Sequence, residues 1–330
     1  MKQNRVMENY LQHNFDDNSN LKTLLESNKY LEANGTLVFP IGIDDEDIHI
    51  EDLSKISSAL ITGITGSGKT SFIHSLIASL IMQYTPDELK FIIADSKGID
   101  YCIFKDMPHL MIPIITEPKK VCGLLNWVLS EVKRRLSLVA TNKECESEQI
   151  VLIIDDFSLA AQHSENFEYM QQILALCRTV NIHCILCTSI PTTDIIPAAL
   201  KTNIPYKIAF CASSRQLSKL AMDEFGAEML NVPGEALIKK NAIQIKCNKS
   251  NATDAEIGFI AQQVKQKFGT YQLQTSQNKI DIADELIEEA KNIILETGTA
   301  SASLLQRKLK VGYEVATKII ELINTKERYE

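Results

Sequence analysis

One octapeptide constrains this chain more than any other stretch. Gly63-Ile64-Thr65-Gly66-Ser67-Gly68-Lys69-Thr70 satisfies the pattern G-x-x-x-x-G-K-[ST], with the apolar run Ala59–Thr62 before it and a helical pattern, Thr70–Tyr84, after it. Small residues let consecutive backbone N–H groups turn inward around a phosphate, and the following helix adds the positive end of its dipole. All eight residues are therefore expected to hold the phosphates of a nucleoside triphosphate. Lys69 is expected to reach the β- and γ-phosphates, and Thr70 to place its hydroxyl on Mg²⁺. A chance glycine-rich turn ahead of a helix is the competing account, and the two flanking elements count against it.

Such a loop needs a carboxylate at the end of another buried strand to hold the metal shell. Val151-Leu152-Ile153-Ile154-Asp155-Asp156 supplies one. Asp155 is expected to hold metal-bound water, and Asp156 to polarise the water that attacks phosphorus. An acidic pair merely ending a strand is the plainer alternative. Beside the phosphate loop, the pair points to a P-loop nucleoside triphosphatase that uses Mg²⁺.

The strand candidates Ala59–Thr62, Phe91–Ala94, Ile150–Ile154, Ile182–Thr188 and Tyr206–Ala212 alternate with helix candidates Thr70–Tyr84, Lys119–Val139, Phe167–Val180 and Arg215–Phe225. That alternation predicts a mainly parallel α/β sheet covered on both faces. Residues 1–35 are polar and read as a loosely held lead-in. Residues 36–270 read as the ATPase domain, and 271–280, rich in Gln, Thr, Ser and Asn, as a linker. Residues 281–330 carry three short helical patterns, Ile282–Glu296, Ser301–Leu309 and Tyr313–Lys326, with a break at Lys310-Val311-Gly312. This is the arithmetic of a helix-turn-helix.

A length of 330 residues suits two domains at roughly 150 residues each. The formal net charge of −8 excludes a globally basic nucleic-acid coat but not a local basic face. No apolar stretch approaches the ~20 residues needed to cross a bilayer, and no secretory leader follows Met1. Most of the eight cysteines sit in apolar runs (Cys102, Cys122, Cys177, Cys184, Cys187, Cys211), which predicts reduced buried thiols and a cytoplasmic location. Cys184-x-x-Cys187 beside His183 invites a zinc reading. A strand there sends the two thiols to opposite faces, so core packing is the better account.

Several stretches are similar to the FtsK/SpoIIIE family of DNA translocases. Besides Leu60–Thr70, they include Tyr84-Thr85-Pro86-Asp87-Glu88-Leu89, Phe91–Lys97, Met107-Pro108-His109-Leu110, Ile204–Phe210 and Phe225-Gly226-Ala227-Glu228. The tail from Ala300 to Leu309, then Val311-Gly312-Tyr313, resembles the family's C-terminal winged-helix module. The resemblance implies a RecA-like P-loop fold and an ATP-driven motor that encircles double-stranded DNA as a homo-oligomeric ring, usually a hexamer, with ATP between subunits and an arginine supplied by the neighbour. Arg178, in Cys177–His183, falls where the family carries an arginine-containing stretch. An exposed charge favoured at a helix C-terminus explains it equally well.

The chain departs from the family at three places. Asp155-Asp156 replaces Asp-Glu, which shortens the second carboxylate by one methylene. Ser189-Ile190-Pro191 replaces Gln-Arg-Pro at the position that senses the γ-phosphate. In the third C-terminal helix, Glu314 and Lys318 stand where family members that read orienting sequences carry Asn and Arg, and Glu321 is retained. Lysine offers a point charge where arginine offers a planar fork, so any sequence preference should differ. Arg307, Lys308, Lys310, Glu314, Lys318 and Glu321 are the expected DNA contacts; a solvated charged face is the bland alternative. Ala290, Ile293, Ile294, Ala316, Ile319, Ile320 and Ile323 form apolar stripes, hence core. Two other functions compete with the motor: a non-motor DNA-binding protein whose degenerate P-loop domain uses ATP as a switch, and a secretion-type coupling ATPase.

Overall fold

A computed structural model describes residues 5–13, 15, 20–141, 148–161, 164–230, 233–240 and 243–271, and from the C-terminal part Ala290, Ile293, residues 301–309 and Ile319. The chain divides into two compact units, Met1–Tyr271 and Gln272–Glu330.

Strands of the first unit are β1 (Val38–Ile43), β2 (Ile48–Asp52), β3 (Ser58–Thr62), β4 (Leu89–Asp95), β5 (Gln149–Asp155), β6 (Ile182–Thr188), β7 (Tyr206–Ala209), β8 (Glu235–Lys240) and β9 (Ile243–Lys249). They make one sheet in the order β2-β1-β9-β8-β7-β3-β6-β5-β4. From β7 to β4 every neighbouring pair is parallel, and from β7 to β2 every pair is antiparallel.

The parallel strands are apolar throughout because both faces are covered. Alternation divides their side chains between two cores. Val151 and Ile153 of β5 pack on one side with Phe72, Ile73 and Leu76 of the helix Lys69–Gln83. Ile150, Leu152 and Ile154 pack on the other with Val121, Leu125 and Val128 of the helix Pro118–Ala140 and Ile173 of the helix Ser164–Leu176. The same rule sends Cys187 to the first core and Cys184 to the second. Cys102 departs from the expectation of buried thiols: it is exposed on the 3-10 turn Cys102–Phe104, and Cys122 and Cys211 are only half-buried.

Two other expectations give way. The described residues of the N-terminal stretch pack on the core rather than forming a loose lead-in. Helices Arg5–Gln12, Leu21–Glu26 and Asn28–Leu31 bury Val6, Met7, Tyr10, Leu21, Leu24, Leu25 and Tyr30. The Tyr10 hydroxyl donates to the Glu256 carboxylate at 2.7 Å. Glu256 belongs to a helix, Asp254–Phe268, capped by a reciprocal Thr253–Glu256 box. Few apolar residues at helical spacing suffice there because each is fully enclosed. The predicted helix Phe167–Val180 also tightens to 3-10 geometry at Cys177–Val180, and Asn181, in left-handed conformation at φ 56°, turns the chain into β6.

In the second unit Ala302–Leu309 is helical, and Ala290, Ile293, Leu305 and Ile319 are buried. Of the expected DNA contacts, Arg307 and Lys308 lie on this helix with Lys308 exposed, while Lys310, Glu314, Lys318 and Glu321 lie outside the described residues.

Candidate nucleotide site

The carboxyl ends of the parallel strands all open on one edge of the sheet, and the phosphate loop leaves β3 there. Gly63, Gly66 and Gly68 adopt φ of 145°, 78° and 111°. At Gly63 space matters as well as torsion: a Cβ would lie 2.7 Å from both the Phe210 Cβ and the Ser67 Oγ. The Ile64 N–H donates to the Cys211 carbonyl at 2.9 Å, which ties the loop to the end of β7. Lys69 Nζ donates to the Gly63 carbonyl at 2.6 Å and the Ile64 carbonyl at 3.0 Å, so the ammonium crosses the mouth of the loop. Burial lowers its pKa, and Asp155 is among the groups that oppose the shift.

Asp155 ends β5 in register with Asp95 at the end of β4. Burial pushes the Asp155 carboxyl up to about 6. Asp156 adopts left-handed φ 58°, which turns its side chain out of the strand, and its carboxylate accepts from the Ser158 hydroxyl. Thr65, Gly66, Gly68, Lys69, Thr70, Asp155 and Asp156, all expected site residues, line one cleft of about 820 Å³. Ser189 lines it as well, whereas Ile190 is half-exposed.

Arg178 is not brought to this cleft. It is exposed on the turn before β6, whereas the cleft lies beyond Thr188 at the strand's other end, roughly 20 Å away at 3.3 Å per residue.

Further residues enter the site that motif reading passed over. Oxygens of Asp95, Asp100 and Asp155 lie within 4.8 Å of one another. Asp95 accepts from the backbone N–H of Lys97 at 3.1 Å and of Tyr101 at 3.2 Å, and Lys97 Nζ pairs with Asp100 at 2.7 Å. The signal for Asp95 was present in the sequence: Phe91–Ala94 ends in aspartate just as Ile150–Ile154 does. Lys249, Asn251 and Asp254 line the cleft as well. Lys249 is 5% exposed, and burial holds its ammonium down to about 8. No motif announces these residues, because they come from an antiparallel strand end, the turn after it and the start of the next helix.

The donor set suits a magnesium–triphosphate. The Ser67 Oγ and the Asp155 Oδ2 are buried without hydrogen-bond partners. Buried polar atoms are almost always satisfied, and a phosphate oxygen and a hydrated cation are the ligands that would satisfy these two. A phosphate-binding turn between a buried parallel strand and a helix, faced by a carboxylate from a neighbouring strand, defines the class: this is a P-loop ATPase.

Comparison with known proteins narrows the class. A profile of the FtsK/SpoIIIE family matches residues 20–198, and one of the FtsK gamma domain matches residues 281–327. The chain belongs to the FtsK/SpoIIIE family. It is 34% identical over 330 residues to the DNA translocase FtsK of Caldanaerobacter subterraneus subsp. tengcongensis, covering 93% of this chain and 46% of that protein. It is 34% identical over 335 residues to the DNA translocase FtsK of Clostridium tetani, covering 91% of this chain and 45% of that protein. The chain thus spans about half the length of these curated relatives. Among solved structures, the fold resembles the pCW3 conjugation coupling protein TcpA with ATPγS (TM-score 0.63, 20% identity, 73% of each chain). It also resembles the cytoplasmic domain of the Thermomonospora curvata type VII secretion ATPase EccC (TM-score 0.64, 18% identity, 79% of this chain and 34% of that one). At such identities the likeness concerns the fold alone. Among the described residues no helix is long and apolar enough to cross a membrane.

Proposed function

We propose that this chain is the motor core of an ATP-driven double-stranded DNA translocase that works in the cytoplasm as a homo-oligomeric ring, with a hexamer as the expected size. The observation that carries this reading is the union, in one chain, of the phosphate-loop cleft and a C-terminal segment matching the FtsK gamma domain. The fold is shared with secretion ATPases and does not separate the two functions; the gamma segment favours DNA.

In this reading residues 63–70 cradle the phosphates, and Lys69 swings from the loop carbonyls to the β- and γ-phosphates. Thr70 and Asp155 would hold Mg²⁺, which would supply charge that neutralises the phosphates. Asp156 accepts the proton of the attacking water as its oxygen bonds to the γ-phosphorus and the bond to the β–γ bridging oxygen breaks. Arg178, remote from its own cleft, serves a neighbour's in this reading, where its charge stabilises the transferring phosphoryl group. Residues 271–280 link the motor to the domain 281–330. There Arg307, Lys308 and Lys310 contact phosphates, and Glu314, Lys318 and Glu321 face base edges.

The test is the ATP hydrolysis rate with and without long duplex DNA, paired with displacement of a third strand from a triplex. A motor shows strong DNA stimulation and ATP-dependent displacement. Tight ATP binding with no turnover in either condition would establish the switch instead.

A further inference from the structure

Lys249 is the last residue of β9 and a departure from the usual place of a lysine, which is the surface. Its aliphatic chain lies across the N-terminal end of the helix Lys69–Gln83: the Cε sits 2.6 Å from where a Cβ on Gly68 would be. The ammonium donates to the Asn251 Oδ1 at 2.6 Å. Among the described residues no carboxylate forms an ion pair with it. The side chain thus lies at the N-terminal end of that helix, in the cleft that Lys69 also lines. A buried cation that no carboxylate pairs is retained at a cost in folding, and an anion arriving in the same cleft would remove that cost.

The backbone that presents Lys249 is held on both sides. Its N–H donates to the Gly234 carbonyl at 2.9 Å, and its carbonyl accepts from the Asn20 side chain at 2.9 Å. Asn20 also accepts from the Asn251 N–H at 2.7 Å. The strand end is therefore fixed before any ligand arrives, as a binding group should be.

We infer that Lys249 is a second phosphate-contacting cation of the nucleotide cleft, meeting the diphosphate portion of ATP or ADP alongside Lys69. This rests on the nucleotide reading of the cleft and adds to it a contact supplied by the antiparallel half of the sheet. The N-terminal residues share in it, because Asn20 clamps the strand end that carries the charge.

The test uses the full chain and a fluorescent ADP, with ATPγS as competitor. Lys249→Met keeps the alkyl packing on Gly68 and removes the charge. It should weaken ADP and ATPγS binding roughly tenfold and leave the melting temperature of the nucleotide-free protein unchanged or higher, since a buried charge has gone. Lys249→Arg should recover most of the affinity. Wild-type affinity in Lys249→Met overturns the inference, as does a lost affinity that Lys249→Arg does not restore or that comes with a lower melting temperature, since either marks a packing role. Lys69→Ala, run alongside, separates the two levels. If it too binds ADP normally, the nucleotide reading of the cleft fails; if it loses binding while Lys249→Met does not, only the role of Lys249 fails.

Discussion

The two halves of the sheet are built by different rules and contribute differently to the site. In the parallel half, β3, β5 and β6 are buried at every residue, because helices cover both faces. Parallel strands also point the same way, so their carboxyl ends converge on one edge. That convergence places Gly63, Asp95, Asp155 and Ser189 together although the first and last are 126 positions apart in sequence. In the antiparallel half, β9 alternates between exposed and covered positions and buries only Cys247 and Lys249. It contributes to the cleft through its last residue alone. The cleft is thus lined mainly from the ends of the parallel strands, and β9 adds one charged residue, Lys249.

The sharpest way to break this contrast is to remove the charge of the loop itself. Lys69→Ala should lower ATP hydrolysis by roughly 10³-fold, the scale of losing a preorganised charge at the reacting phosphate. The fold should remain, because the Lys69 side chain bonds only the loop carbonyls of Gly63 and Ile64 through its ammonium. Steady-state turnover on a sample with a normal melting curve decides it, and unchanged turnover removes Lys69 from the site.

Next in size is a purely structural effect beneath the parallel half. Arg135 is fully buried and donates to Glu131 at 2.8 Å, to the Glu148 carbonyl at 2.8 Å and to the Val180 carbonyl at 3.1 Å. Arg135→Ala empties a fully buried position and takes that donor from the Glu148 and Val180 carbonyls, so the unfolding free energy should fall by about 3–5 kcal/mol. Urea denaturation measures this, and a loss below about 1 kcal/mol would contradict the burial argument.

Acid should also act on the parallel half. His183 on β6 and His109, whose Nε2 bonds the Tyr84 carbonyl at 2.9 Å, are both pushed down to about 4 by burial. Their folded pKa lies below the unfolded value near 6.5, so the stability they confer is present above pH 6.5 and is lost as pH falls toward 4. Each contributes about 3 kcal/mol to that loss. Denaturation midpoints at pH 7, 5.5 and 4 should fall monotonically. A His183→Gln variant should show a shallower slope than the wild type.

The smallest expected effect lies on the antiparallel edge. Ile243, at the start of β9, is 67% exposed. Ile243→Lys should change stability by less than about 0.5 kcal/mol and leave turnover intact. A larger loss in either measurement would mean that this edge is covered in the working assembly, which would erase the contrast between the halves.

Much of the parallel half was readable in the amino-acid order. A strand covered on both faces must be apolar at every position, so Ala59–Thr62, Ile150–Ile154 and Ile182–Thr188 show themselves as runs. The phosphate loop shows itself because only glycine tolerates its torsions and close approaches. The family resemblance likewise rests on short motifs that are local in sequence. The antiparallel half was not readable in this way. Strands with one wet face, such as Ile243–Lys249, differ little from a polar loop, and the N-terminal helices are anchored by a few enclosed side chains such as Tyr10 and Tyr30. Local sequence thus determined that the chain has a parallel core with a triphosphate loop, since both are written in runs of neighbouring residues. Only the tertiary structure decided that Asp95 and Asp100 join Asp155, that Arg178 lies away from its own cleft, and that a lysine 180 residues beyond Lys69 faces the same loop. Those are long-range juxtapositions, set by strand order and packing rather than by any residue's neighbours in the chain.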